Sequence, residues 1–182
     1  TLRYILNKIV RNFTPKYGLP YDVKKLILAW VHRKLFETRD AISPLLYRIY
    51  KKHYDSQDNA FIKVILEHTD DPLPSVLEGS THWKDAVDAL KRMSIAKSPY
   101  KKLSHLKEMS QCIHRTNPSM GADDAWPAIM YVITQAKYQY MLSEINVVYD
   151  SLYEFVENAD RYLLCTVHAI VTDMENILNN AP

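Results

Sequence analysis

The sequence predicts an all-α protein, a layered multi-helix domain with an N-terminal helical subdomain. Apolar residues recur at spacings of three and four along most of the chain, which is the period of an amphipathic helix. Only three glycines occur in 182 residues, so little material is available for hairpin turns. No long stretch alternates apolar and polar residues, and we therefore predict about nine helices and no sheet.

The first part of the chain contains four predicted helices. Asp22 is the expected N-cap of the second helix, because its side-chain oxygen can accept a backbone N–H. The third begins with Ser43 as cap and Pro44 at the first helical position, where no N–H is missed. The four helices cover about residues 1–13, 21–36, 43–54 and 59–68.

The segment from Asp70 to Ser80 is the best candidate for a boundary, because prolines, a glycine and acids cluster there. We divide the chain into an N-terminal helical part, residues 1–75, and a core of helices, residues 76–182. The two parts could also form one continuous unit. Residues 1–40 could stabilise the core or inhibit it, and periodicity does not distinguish these roles.

Five further helices follow this boundary. Ser98 and Pro99 repeat the Ser-Pro start signal. The helix from Asp123 is apolar on most faces, so we expect it to be central and largely buried. The five helices cover about residues 82–93, 98–116, 123–137, 141–155 and 160–178.

The composition is that of an ordinary globular chain and excludes several functions. A net charge of +2 is too small to favour nucleic acid or a membrane surface as partner. No stretch approaches the ~20 apolar residues that span a bilayer. Two cysteines form no disulfide framework, so we expect a reducing, cytoplasmic location. The basic pairs are interpreted as solvated surface, namely Lys51–Lys52, Lys91–Arg92 and Lys101–Lys102.

The sequence contains no pattern of residues that is typical of bond-making chemistry. The seven histidines do not stand at metal-ligand spacing from acids or cysteines. The three isolated glycines cannot build a phosphate-binding loop, and no serine or cysteine has the context of a nucleophile. We therefore predict an interaction module without a metal or cofactor of its own, rather than a bond-making enzyme.

The segment from Gly121 to Val132 places two adjacent acids before a proline and an apolar run. Asp124 is expected to cap the helix, with Pro127 in its first turn. A carboxylate there also meets the positive end of the helix dipole. Capping accounts for one acid and does not require two.

Residues 122–127, Ala-Asp-Asp-Ala-Trp-Pro, with apolar residues at 129–132, resemble the "ADD-x-L-P … YV" motif of the vacuolar-sorting Vps-nine domain. That family comprises guanine-nucleotide exchange domains for endosomal Rab GTPases. Weaker similarities lie at residues 98–113, 142–145 and 161–170, and the resemblance covers about residues 40–178. It implies a helical exchange factor for a Rab-five-type GTPase, acting in endocytosis and recruited from the cytoplasm to endosomal membranes.

The resemblance implies roles for individual residues. Asp123 is implied to be catalytic, reaching into the nucleotide site and pairing with the lysine that the phosphates release. Tyr162 is implied to hold the opened switch region. GDP, GTP and Mg²⁺ belong to the GTPase, and the chain itself is expected to be a monomer that does not insert into membranes. The residues expected to contact the partner are Asp124, Trp126, Pro127, Met130, Arg161 and Cys165.

The sequence departs from the family in its last helix. The family's Gly-Glu-x-x-Tyr-Tyr-x-Thr corresponds here to residues 157–165, Glu-Asn-Ala-Asp-Arg-Tyr-Leu-Leu-Cys, and Trp126 stands in place of a leucine. One alternative is therefore a catalytically weak or inactive module that binds a Rab or another trafficking protein. A second alternative is a helical scaffold unrelated to GTPases.

Overall fold

The computed structural model describes residues 42–179 and, before them, eight single residues at positions 8, 23, 26, 30, 31, 33, 34 and 36. The helices predicted over 1–13 and 21–36, with the cap at Asp22, otherwise lie outside the described residues. In the described part the fold is all-α, as predicted. Its six α-helices are α1 (Ile42–Glu67), α2 (His82–Ile95), α3 (Pro99–Thr116), α4 (Ala122–Ala136), α5 (Met141–Leu152) and α6 (Asn158–Asn179).

Helix α1 corrects two sequence predictions. It runs through the predicted break at residues 55–58, so the predicted third and fourth helices are one helix of 26 residues. The polar residues there do not interrupt it, because Asp55, Ser56 and Gln57 face solvent while Asp58 is buried. It also begins at Ile42, which places Pro44 third and not first.

The proline-rich connection after α1 is packed against the core. Ser75–Leu77 form one turn of 3-10 helix, and the Leu77 side chain is fully buried. Gln135 Nε2 of α4 donates to the Thr69 carbonyl at 2.7 Å. Gly79 has a φ of 78°, a conformation that favours glycine, and it turns the chain toward α2.

One cluster of buried side chains joins all six helices. Helices α2 and α3 pack most extensively on each other, and α1 packs mainly on α5. Because Ile65 of α1 shares this cluster with Leu106 and Ile145, α1 belongs to the same core. The division between residues 75 and 76 stays a prediction, because most of the chain before residue 42 lies outside the described residues. One representative from each helix is Ile65, Leu90, Leu106, Val132, Ile145 and Ile170.

The interpretation of Lys101 and Lys102 as a solvated pair is wrong for Lys102. Lys101 is exposed, but Lys102 is only 1% exposed and pairs with the buried carboxylate of Glu144. Its Nζ also donates to the Met93 carbonyl at 2.6 Å. Successive helical residues face different sides, so one lysine of the pair points between α2 and α5.

Asp58 fixes the start of α5 from a neighbouring helix. Its Oδ1 accepts the backbone N–H of Ser143 at 3.1 Å. Burial raises the pKa of Asp58, and the hydrogen bonds from Ser143 act in the opposite direction. A first-turn N–H of α5 is thereby satisfied by α1, in the way a capping side chain would satisfy it.

None of the described helices is both long and apolar enough to cross a lipid bilayer.

Candidate functional site

Helices α3, α4 and α6 enclose a groove of about 640 Å³. Its α4 and α6 walls contain residues that the family resemblance implied, whereas no residue of α3 was expected at the site. The volume is within the range of ligand and peptide clefts. The lining residues are Lys107, Ser110, Gln111 and His114 of α3, Asp123, Ala125, Trp126, Pro127 and Ile129 of α4, and Ala159, Asp160, Tyr162, Leu163 and Thr166 of α6.

The two acids lie in the first turn of α4, after its N-cap. Gly121 is the N-cap, with extended backbone at φ −76° and ψ 175°, and its carbonyl accepts the Ala125 N–H at 3.1 Å. Asp123 is the second helical residue, and its exposed side chain lines the groove.

The prediction that Asp124 is the cap is therefore wrong. Asp124 is the third helical residue, and no side-chain hydrogen bond caps α4. The helix begins one residue before both acids, because the extended Gly121 already takes the N-cap position. The Asp124 Oδ2 lies 3.9 Å from the point where a Cβ on Gly121 would stand, so the carboxylate points back to the helix start. There it stabilises the positive end of the dipole without a cap bond.

Pro127 also lies elsewhere than predicted. It is the sixth residue of α4, inside the helix and beyond the first turn. An N–H at that position would donate to the carbonyl of Asp123, four residues earlier. Proline has no N–H, so this bond is not made.

Tyr162 lies in the second turn of α6 and lines the groove opposite α4, with 67% of its surface exposed. The residues before it hold this turn in place. Asp160 pairs with Lys107 Nζ of α3, at 2.9 Å to Oδ1 and 3.0 Å to Oδ2. This ion pair joins α3 to α6, and both of its residues line the groove.

Arg161 points away from the groove and binds the fold itself. Its Nε donates to the Tyr153 carbonyl at 3.0 Å, and its terminal nitrogen donates to the Val156 carbonyl at 3.2 Å. The guanidinium carbon also lies 5.4 Å from the centre of the Tyr153 ring. Arg161 therefore anchors the start of α6 to the turn that follows α5.

Met130 and Cys165, two more residues expected to contact a partner, do not line the groove either. Met130 is half-buried and packs against the core. Cys165 is half-buried beside Tyr149 of α5; burial raises the pKa of the Tyr149 hydroxyl, and Cys165 adds to the effect. Of the eight predicted site residues, the groove brings together Asp123, Trp126, Pro127 and Tyr162 and leaves out Asp124, Met130, Arg161 and Cys165.

The family of the vacuolar sorting protein 9 (VPS9) domain matches residues 83–179, which is more than half of the chain. The chain belongs to the VPS9 domain family. Membership implies a GTPase as partner and nucleotide exchange rather than bond-making chemistry. Comparison with curated proteins gives no match.

The matched part of this VPS9 domain begins in α2 and contains every residue that lines the groove, from Lys107 to Thr166. Sequence reasoning missed its α3 wall, because a polar stripe on an amphipathic helix is typical of a solvent-facing side. Lys107, Gln111 and His114 recur at spacings of four and three, which would have placed them on one face. The spacing alone does not show that this face belongs to a groove, because that depends on how α4 and α6 pack beside α3.

Within the residues that the structure describes, no three His, Cys, Asp or Glu side chains lie close enough to hold a metal ion.

Proposed function

We propose that this VPS9 domain is a guanine-nucleotide exchange factor for an endosomal GTPase of the Rab-five type. The observation that carries the proposal is the position of Asp123 and Tyr162. Asp123 lines the groove from α4, and Tyr162 lines it from α6 on the opposite side. An acid and an exposed aromatic side chain can there act on the same bound segment of the partner.

Asp123 is the acidic finger in this proposal. A GTPase holds its nucleotide through Mg²⁺, a phosphate-binding loop and the lysine of that loop. A carboxylate that enters this site pairs with the lysine and repels the phosphates. A thousandfold faster release requires about 4 kcal/mol of barrier reduction, and a close interfacial charge pair contributes about 1.5–7 kcal/mol. One carboxylate can therefore supply much of the effect.

The N-terminal end of α4, which presents Asp123, has the net negative charge that this mechanism needs. A helix N-terminus carries a partial charge of about +0.5, which alone would repel a lysine. The carboxylates of Asp123 and Asp124 outweigh it, leaving about −1.5 at this end of α4. The second acid therefore has a role although it is not the cap.

The groove supplies the docking that holds Asp123 in place. Trp126, Ile129 and Leu163 give it an apolar lining on α4 and α6. The switch region of the GTPase would bury its apolar side chains there, with Tyr162 closing over them. An interface of ordinary size, about 1,600 Å² in total, suffices for such a complex.

Location follows from the partner in this proposal. The domain is cytoplasmic and meets its GTPase on endosomal membranes, and GDP, GTP and Mg²⁺ are bound by the GTPase. The domain acts as a monomer and contributes no cofactor.

A second candidate is a module of this family that binds its GTPase without exchange. The last helix favours it: Arg161 binds the Tyr153 and Val156 carbonyls, and Cys165 lies beside Tyr149. These two positions are therefore taken up by the fold, which leaves Tyr162 and Leu163 as the main contacts from α6.

Release of a fluorescent GDP analogue from a panel of endosomal Rab GTPases tests the proposal. We expect the domain to accelerate release from at least one Rab-five-type member and to bind that member most tightly when it is nucleotide-free. Tight binding to the nucleotide-loaded GTPase without a change in rate would support the second candidate. No effect on any member of the panel, and no binding, would contradict both.

A further inference from the structure

Pro127 changes the hydrogen bonding of Asp123. Helix α4 continues past Pro127 to Ala136. In such a helix each carbonyl accepts the N–H of the residue four positions later. Pro127 has no N–H, so the backbone carbonyl of Asp123 does not receive this bond.

The carbonyl that lacks this bond belongs to the residue that faces the groove. Residues four apart lie on the same side of a helix, and both Asp123 and Pro127 are exposed and line the groove. Asp123 therefore has a second acceptor beside its carboxylate, a main-chain oxygen that lacks its usual helical donor.

Core packing gives no reason for a proline here. Pro127 is exposed, whereas the next two residues, Ala128 and Ile129, are buried. A proline inside a helix is among the least favourable substitutions for helix stability. A residue that opposes local stability at a groove and is not needed for packing points to a function.

We propose that the backbone carbonyl of Asp123, left open by Pro127, is a second acceptor for the lysine ammonium of the partner GTPase. This inference rests on the proposed function. An ammonium has three N–H donors and no acceptor, so a single carboxylate oxygen leaves donors without partners once water is excluded. Donors left unsatisfied in a closed interface oppose its formation. The carbonyl of the same residue satisfies one of them and directs the ammonium toward α4.

Two changes at position 127 test this inference. Pro127→Ala restores the N–H, which then occupies the Asp123 carbonyl. Lactic acid at the same position, introduced as an ester analogue of alanine, has the same methyl group but no N–H. Both remove the proline ring, so the pair differs in the donor at position 127 and in the Trp126 carbonyl, which is a weaker acceptor in the ester. Lactic acid at position 130 weakens no carbonyl near Asp123 other than that of Ile129 and controls for the effect of an ester in α4.

We expect Pro127→Ala to lower kcat/KM for GDP release by about 10- to 100-fold, equivalent to about 1.4–2.7 kcal/mol at 1.36 kcal/mol per tenfold. The lactic acid variant should recover most of this loss. The melting temperature of Pro127→Ala should equal or exceed that of the wild type, because the helix regains a bond. A loss of activity with gained stability is not what a merely structural role predicts.

Two results would overturn the inference. Equal losses in both variants would assign the effect to the proline ring, and wild-type rates in both would show that position 127 has no part in exchange. A wild-type domain that accelerates no GTPase would instead refute the proposed function, and this inference with it.

Discussion

The ammonium of Lys102 and the carboxylate of Glu144 form an ion pair between α3 and α5, with side chains only 1% and 4% exposed. Lys102 Nζ also lies 4.9 Å from the centre of the Tyr47 ring on α1 and donates to the Met93 carbonyl on α2. Burial lowers the pKa of Lys102, while Glu144 acts in the opposite direction. Four helices therefore meet at one buried charged pair.

Lys102→Met should lower the free energy of unfolding by up to about 3–5 kcal/mol, because the buried Glu144 carboxylate then keeps only its longer ion pair, with Lys51 Nζ at 3.7 Å. Lys102→Met combined with Glu144→Leu should recover a large part of this loss, since a buried pair can often be replaced by apolar residues. Urea denaturation measures both. Lys101→Met, at the exposed neighbouring position, should change stability by less than about 0.5 kcal/mol. Equal stability of the Lys101 and Lys102 single variants would contradict a structural role for the pair.

Arg161 should stabilise the start of α6 rather than contact the GTPase. Arg161→Gln is expected to cost about 1–3 kcal/mol, because two backbone carbonyls lose a charged donor. The stability of Arg161→Lys should lie between those of the wild type and Arg161→Gln, since a lysine ammonium is charged but cannot donate from two nitrogens in the planar geometry of a guanidinium. Thermal and urea unfolding measure the effect, with Arg115→Gln on the exposed surface of α3 as control. If Arg161→Gln unfolds like the control while losing affinity for a GTPase, Arg161 is a partner contact after all.

His168 should make the domain less stable in acid. Its ring stacks on Tyr149 at 4.2 Å, its Nε2 lies 3.1 Å from Asn146 Oδ1, and burial lowers its pKa despite the opposing charges of Asp150 and Asp173. On acidification below about pH 6.5 the unfolded chain therefore takes up this proton more readily than the folded chain, and stability falls. The same contribution is fully present above that pH.

Urea unfolding at pH 7.5 and pH 5.5 measures this effect. The loss between the two values should be smaller in His168→Gln than in the wild type. His114→Gln, at an exposed position of α3, serves as control and should behave like the wild type. An unchanged loss in His168→Gln would show that another group is responsible.

Tyr162 should contribute to the interface through its exposed ring. Tyr162→Ala is expected to lower kcat/KM for GDP release by about 10-fold or more, because an aromatic anchor in an interface contributes about 2 kcal/mol. Ile95→Ala is the control, since Ile95 is 80% exposed and lies outside the groove. Equal rates for the two variants would remove Tyr162 from the site.

The helices of the core could be predicted because their apolar residues recur at helical spacing. Ser98 and Pro99 mark the start of α3 as predicted, and the apolar residues that recur along this helix, Leu103, Leu106 and Met109, are buried. The burial of Lys102 could not be predicted, because its partner Glu144 lies 42 residues away in the sequence. Local pattern gives no information on which helix will cover a given face.

The site was predicted in part, and the errors have a physical origin. Asp123, Trp126, Pro127 and Tyr162 were found through the family resemblance, and they do line one groove. Arg161 was expected beside them from the family resemblance, but adjacent helical residues point about 100° apart, and Arg161 binds the turn after α5 while Tyr162 faces the groove. Lys107 and His114 were missed because only the packing of α3 beside α4 and α6 makes their polar face a wall of the groove.

The central claim is that the carboxylate of Asp123 promotes GDP release, and removal of that carboxylate is the most direct test. GDP release from a responsive endosomal GTPase should be measured with wild type, Asp123→Asn, Asp124→Asn and Asp55→Asn, the last an exposed acid of α1. We predict that Asp123→Asn lowers kcat/KM by about 100-fold or more, that Asp124→Asn has a smaller effect, and that Asp55→Asn has none. An Asp123→Asn variant that retains the wild-type rate would contradict the account.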